Sequence, residues 1–154
     1  MPRIELQTKI NAEKWIVFNL SRSIELHKVS TEHTNEKAIA GKTEGLIELN
    51  ESVTWKAKHF GIYQKLTSKV TALEFPNYFV DEMVNGAFKK FRHEHHFTDS
   101  DNTVVMRDVF DYESPLGYLG KLADFFFLKN YMIKLLQKRN LIIKPVLYIS
   151  KSIP

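Results

Sequence analysis

The chain has 154 residues, a formal net charge of +4 and 44% hydrophobic content, which fits one globular domain with a core of its own. It contains no cysteine, so disulfides, thiolate nucleophiles and cysteine-ligated zinc are excluded. Its lysines are scattered (Lys56, Lys58, Lys65, Lys69) rather than gathered into a basic block, and no nucleic-acid partner is expected. The opening "MPRIELQTKI" has no signal-peptide core. The most apolar stretch, "LGYLGKLADFFFLKNYMIKLL", carries Lys121, Asp124, Lys129 and Lys134, too many charges for a membrane span. A cytoplasmic location is the expectation.

Along the chain, "RIELQTKI" alternates with Ile4 and Leu6 on one face and reads as a strand. Asn11 is placed to cap a helix, with Lys14 where a capping box wants Glu. Trp15, Phe18, Ile24 and Leu26 then give an apolar side to two short helices over 12–29, followed by the polar loop "TEHTNEK". "SVTWKAKHF" puts Val53, Trp55, Ala57 and His59 on one strand face, and Gly61 marks a turn. "YQKLTSKVTAL" sets Gln64, Leu66, Ser68, Val70 and Ala72 against lysines and threonines, the pattern of a sheet with one wet face. "YFVDEMV" is a short strand, Asn85-Gly86 predicts a tight hairpin, and "AFKKFRHEHHF" and "TVVMRDVFDY" are two more strands around the loop "DSDN".

After Ser114-Pro115 the apolar period changes to that of a helix. Tyr118, Leu122, Phe125, Leu128, Met132, Leu135 and Arg139 share one stripe, running to about Ile143. Pro145 is expected to end this helix and 145–154 to form a poorly ordered tail. The fold class predicted is α+β in a single domain, 1–154: a curved antiparallel sheet of six to seven strands around a long C-terminal helix, with two short helices after strand 1. A strongly curved sheet and one helix leave space between them, so an internal cavity is expected. The Phe125–Phe127 triplet must point one ring off the main stripe, which leaves room for a homodimer.

The stretch "FKKFRHEHHF" at 88–97 carries the chemistry. Strand alternation sends Phe91, His93, His95 and Phe97 inward and Lys90, Arg92, Glu94 and His96 outward. Pairing Thr98 with Thr103 across "DSDN" sets His93 beside Asp108 and His95 beside Met106, with Val104, Phe110 and Tyr112 also inward. His59 is inward on its own strand, and Asp81 joins the group if the turn after it preserves parity. Buried polar groups without partners cost about 1–3 kcal/mol each, so these must pair with one another, with water or with a ligand. His-x-His on a strand is half of a cupin-type metal pattern. The glutamate expected four or five residues on is missing, Asp99 lies in a turn there, and "PLGYLG" lacks a histidine. His59 or Asp108 is the conceivable third ligand, and the expectation is no metal and no cofactor.

The element order, with "HFG" at 59–61, "FVDEMVNGAFKKFRHEHHF" at 79–97 and "DVFDYESPLGYLG" at 108–120, resembles the START-like, or SRPBCC, superfamily. Those stretches look like a bacterial subfamily whose members are often labelled "cell division inhibitor" or "cyclase/dehydrase". The resemblance covers nearly the whole chain. It implies a helix-grip fold around a cavity for a hydrophobic molecule, and it carries over no catalytic residues.

Together these point to binding or transport of a hydrophobic or aromatic small molecule, lipid-like or polyketide-like. Trp55, Leu66, Val70, Met83, Met106, Phe110, Leu122, Phe125 and Met132 are the expected wall, with His59, His93, His95 and Asp108 orienting the ligand's polar end. An enzyme of cyclase, dehydratase or hydrolase type, with His93 as base and Asp108 orienting it, is the alternative. A protein-interaction module is a third reading. The face taken by Asp81 and His27 is left open by the sequence.

Overall fold

Period-two alternation yields seven strands: β1 (Arg3–Ile10), β2 (Lys37–Gly41), β3 (Ser52–His59), β4 (Ile62–Glu74), β5 (Tyr78–Asn85), β6 (Lys90–Ser100) and β7 (Thr103–Glu113). They form one antiparallel sheet in the order β1-β7-β6-β5-β4-β3-β2. The computed structural model describes residues 2–115, 117–123 and 127–151, the side chains of 118, 120–121 and 145–151 excepted. β2 has no counterpart in the sequence reading. It is short and mostly exposed, so its alternation is faint. Its end, Gly41, has φ 73°, and a Cβ there would meet Ser52 O at 2.2 Å.

Helices α1 (Lys14–Ser21) and α2 (Ile24–Ser30) follow β1 as predicted, but Glu13 rather than Asn11 occupies the N-cap of α1. Ser23 caps α2, its hydroxyl accepting from Leu26 N at 3.2 Å. The described C-terminal residues form α3 (Tyr118–Ala123) and α4 (Lys129–Lys151), and residues 124–126 between them lie outside the described residues. Pro145 does not end α4, which continues to Lys151.

The β6–β7 hairpin turns on Asp101 and Asn102, both left-handed at φ 43° and 64°, as a two-residue loop demands. Ser100 therefore pairs Thr103, and the register differs by two residues from the predicted one. A shift of two keeps every side chain on its predicted face and changes only its neighbour. His95 pairs Asp108, and His93 pairs Phe110. The β5–β6 connection is not the tight Asn85-Gly86 hairpin, since β6 begins only at Lys90. Gly86 instead permits close approach to β4, where a Cβ would sit 3.2 Å from Leu66 Cα.

Among the described residues the interior holds two large packed clusters and a third of Ile24, Ile47, Val53, Trp55 and Val70. At one end Phe18 of α1, fully buried, meets Phe75, Phe79 and Phe97 edge-on at centroid distances of 5.2, 5.4 and 5.2 Å, with Ile10, Val104, Met106 and Ile143 filling in. At the other, Met132 and Leu136 of α4 pack on Ile4, Phe91, Phe110 and Tyr112 of the sheet. A bulge between Val70 and Ala72 turns β4 over, so Leu73 rather than Ala72 packs on the Phe18 core. No helix among the described residues is long and apolar enough to cross a membrane.

Candidate functional site

Between the second core and strands β3–β6 lies a cavity of about 320 Å³. Its walls are mainly apolar: Trp55, Leu66, Phe88, Phe91, Phe110 and Leu136. Two groups of polar side chains reach it, and Gln64, Lys65 and Ser68 of β4 also line it.

The inner group is built by β5, β6, β7 and α4. His93 and Asp81, which pair across β5 and β6, both face the cavity. Behind them, His93 Nε2 hydrogen-bonds Asp108 Oδ1 at 2.9 Å, and His95 Nε2 hydrogen-bonds Asp81 Oδ1 at 2.9 Å. The other nitrogen of His95, Nδ1, lies 3.2 Å from Asp108 Oδ1 but off the hydrogen-bonding line. The two imidazoles overlap, with ring centroids 3.8 Å apart. From α4, Asn140 Nδ2 donates to Asp108 Oδ2 at 2.8 Å, and Arg139 Nη1 stands 3.5 Å from Asp108 Oδ1 while its Nη2 donates to Ser21 O at 2.9 Å. Alternation on β6 and β7 places the histidines and Asp108 inward, and the helical repeat of α4 brings Arg139 and Asn140 over them.

Burial favours the neutral form of every group here, and the partners decide which groups resist it. It would push Asp108 up, but the bond from His93, the contact with His95 and the charge of Arg139 hold it well below the usual carboxylate range. Asp81 is likewise lowered against burial by its bond to His95 and by the charges around it. His93 is lowered, first by burial and then by the neighbouring His95, with Asp108 and Asp81 opposing. At neutral pH His93 is therefore an uncharged imidazole donating Nε2–H to an ionised Asp108.

The outer group stands where α2, β2 and β3 meet α4. His27 stacks on Trp55 at 4.2 Å between centroids and hydrogen-bonds Glu36, whose side chain is almost fully buried. His59 Nδ1 hydrogen-bonds the Tyr131 hydroxyl. Burial lowers His59, with Glu36 opposing and His33 adding to the shift, and burial raises Tyr131, helped by the charge of Glu36.

The predicted residues fall into three sets. His59, His93, Trp55, Leu66, Phe110 and Met132 line the cavity, as do His27 and Asp81, whose face the sequence left open. His95 and Asp108 are buried one layer behind and act through His93 and Asp81. Val70, Met83, Met106 and Leu122 are not cavity wall. Val70 packs with Ile24 and Trp55, Met106 belongs to the Phe18 core, Met83 flanks the Phe91 cluster, and Leu122 is exposed on α3. Phe125 lies outside the described residues. Sequence reasoning missed Glu36, Tyr131, Phe88 and the pair Arg139–Asn140. A charged residue on the apolar stripe of α4 is the one trace that Arg139 leaves in the sequence.

No family model matches the chain, and no curated protein sequence matches it. Solved structures do. The chain superposes on a protein of Thermus thermophilus with a TM-score of 0.71 at 16% identity, over 92% of this chain and 97% of that one. It is similar to major latex-like protein 151 of Panax ginseng (TM-score 0.69, 14% identity, 95% and 97% covered) and to a START superfamily protein of Mycobacterium smegmatis (0.68, 11%, 89% and 92%). The architecture is the START-like, helix-grip fold.

Proposed function

We propose that this protein binds a hydrophobic or aromatic small molecule in the cavity beneath α4, as a carrier or receptor. The observation that supports this is a mainly apolar space of about 320 Å³ into which a few polar side chains converge, among them His93 with Asp81 and His59 with Tyr131. Small-molecule sites combine an apolar wall with a few converging polar groups, and their volumes start at roughly this size. His93 and Asp81 anchor one polar end of the ligand, and His59 with Tyr131 the other. Proteins of this fold include ligand binders, which supports the reading in general terms. The test is native mass spectrometry of the full chain purified from its source under non-denaturing conditions. A stoichiometric small-molecule adduct, released on denaturation and returned on titration, is the expected result. An empty protein that takes up no apolar probe refutes the proposal.

A catalytic reading rests on one further observation, the 2.9 Å bond between His93, which faces the cavity, and the buried Asp108. A neutral imidazole oriented by a carboxylate is a general base. Norcoclaurine synthase of Thalictrum flavum, whose mutant was solved with a transition state analogue, shares the fold at a TM-score of 0.70 and 10% identity. In this reading His93→Gln abolishes turnover while leaving ligand binding within a few-fold, and a variant that retains turnover excludes it.

A further inference from the structure

We propose that Asp81, His93 and His95 form a site for one divalent first-row transition-metal ion at the inner end of the cavity. Each offers one ligand atom, and the three atoms lie within 4.8 Å of one another. Two imidazoles and one carboxylate suit zinc, cobalt or iron(II), whereas magnesium and calcium prefer oxygen ligands throughout. The His-x-His spacing puts both rings on one face of β6, and Asp81 reaches them from β5, where it pairs His93. The third ligand is thus a cross-strand neighbour, which a search for a glutamate further along the same strand does not find.

Asp108 supplies the second, independent argument. A metal-bound histidine gives its other N–H to a carboxylate or carbonyl, which sets its tautomer and aims the free nitrogen. Here a single oxygen, Asp108 Oδ1, lies 2.9 Å from His93 Nε2 and 3.2 Å from His95 Nδ1. One carboxylate backs both rings. The nitrogens left for an ion are Nδ1 of His93 and Nε2 of His95, and the latter already stands 2.9 Å from Asp81 Oδ1. His95 Nδ1 is buried and makes no hydrogen bond. With Nε2 on a metal, the ring proton moves to Nδ1, which stands 3.2 Å from Asp108 Oδ1 and off the hydrogen-bonding line in this structure. Asp108 is itself fixed by Asn140 at 2.8 Å and Arg139 at 3.5 Å.

Charge favours the same conclusion. The group holds two carboxylates, the partly buried Asp81 and the fully buried Asp108, against one guanidinium, Arg139. A divalent cation offsets the surplus negative charge. Because His93 and Asp81 face the cavity while His95 lies behind, the remaining coordination positions open into the cavity, as they do in sites that exchange ligands. This inference goes beyond the binding reading, and its test uses the metal alone.

The experiment is calorimetric titration of the chelator-treated full chain with Zn²⁺, repeated with Co²⁺ to read its visible absorption. The expected result is saturable binding of one ion per chain, weakened about tenfold or more in Asp81→Asn and in His93→Gln. Asp108→Asn keeps the stoichiometry and lowers affinity by about 10–100-fold. His96→Gln, on the outer face, leaves binding unchanged. If the buried-site variants do not fold by circular dichroism, imidazole ¹⁵N spectra of the unmodified protein decide: added Zn²⁺ shifts His93 and His95 and leaves the other histidines in place. Absence of stoichiometric binding, binding that survives both Asp81→Asn and His93→Gln, or shifts confined to His27 and His59 overturns the proposal.

Discussion

Asn140 donates from Nδ2 to Oδ2 of Asp108 at 2.8 Å, tying the long C-terminal helix to the seventh strand through a carboxylate with no solvent exposure. This bond and that from His93 divide the two oxygens of Asp108 between the helix and the sheet. Asn140→Ala leaves one buried oxygen without that partner and is expected to destabilise the fold by about 1–3 kcal/mol. Urea unfolding measures this directly, and a midpoint equal to that of the unsubstituted protein refutes it.

Phe18 has no solvent exposure and its ring meets three other phenylalanines edge-on. Phe18→Ala removes that packing and leaves a void at the closed end of the domain, so a loss of about 3–5 kcal/mol is expected. The hollow end is separate. A thermal or urea measurement on Phe18→Ala showing a loss under about 1 kcal/mol would mean that the helical layer is dispensable.

Stability should fall as the pH drops below about 6.5, the ordinary histidine value. Burial holds His59 below that value, with Glu36 opposing and His33 adding to it. The unfolded chain therefore takes up a proton on His59 before the folded one does. The contribution is intact above 6.5 and is lost as the pH falls towards the folded value. His33 and His96 are lowered by burial too and act in the same sense. Chemical unfolding at a series of pH values from 7.5 to about 5 reads the slope. In His59→Phe the slope should be shallower, and an unchanged slope removes His59 from the account.

Leu66 lines the cavity from the middle of the sheet. Leu66→Trp should fill the space rather than disturb a packed core, because the added ring enters a void. Binding of an apolar fluorescent probe is expected to drop by about tenfold or more while the unfolding midpoint stays within about 1 kcal/mol of the original. Retained binding would place the ligand elsewhere.

Much of this architecture is legible in the chain itself. Alternation over 52–59, 62–70, 90–97 and 103–112 marks which residues face inward, because the sheet has one wet face and the pleat has a period of two. His93, His95 and Asp108 are therefore interior by local pattern alone, and a two-residue error in register leaves them there. What the pattern does not contain is which neighbours meet. That depends on the left-handed Asp101-Asn102 turn, which sets the pairing of His95 with Asp108, and on the bulge that turns Leu73 inward.

The division between cavity and core was decided only in three dimensions. Val70, Met106 and Leu66 share the same inward parity, yet Val70 and Met106 are sealed in packed clusters and Leu66 borders open space. Parity gives a side chain its face, but whether that face meets another side chain depends on where α1 and α4 lie over the curved sheet. Arg139 and Asn140 complete the inner polar group from a helix distant in sequence from His93, so only long-range packing brings them together, whereas Asp81 comes from the neighbouring strand β5. Local alternation thus determined the inward direction of the histidines, and the path of the two helical layers decided that they border a cavity with carboxylates at their backs.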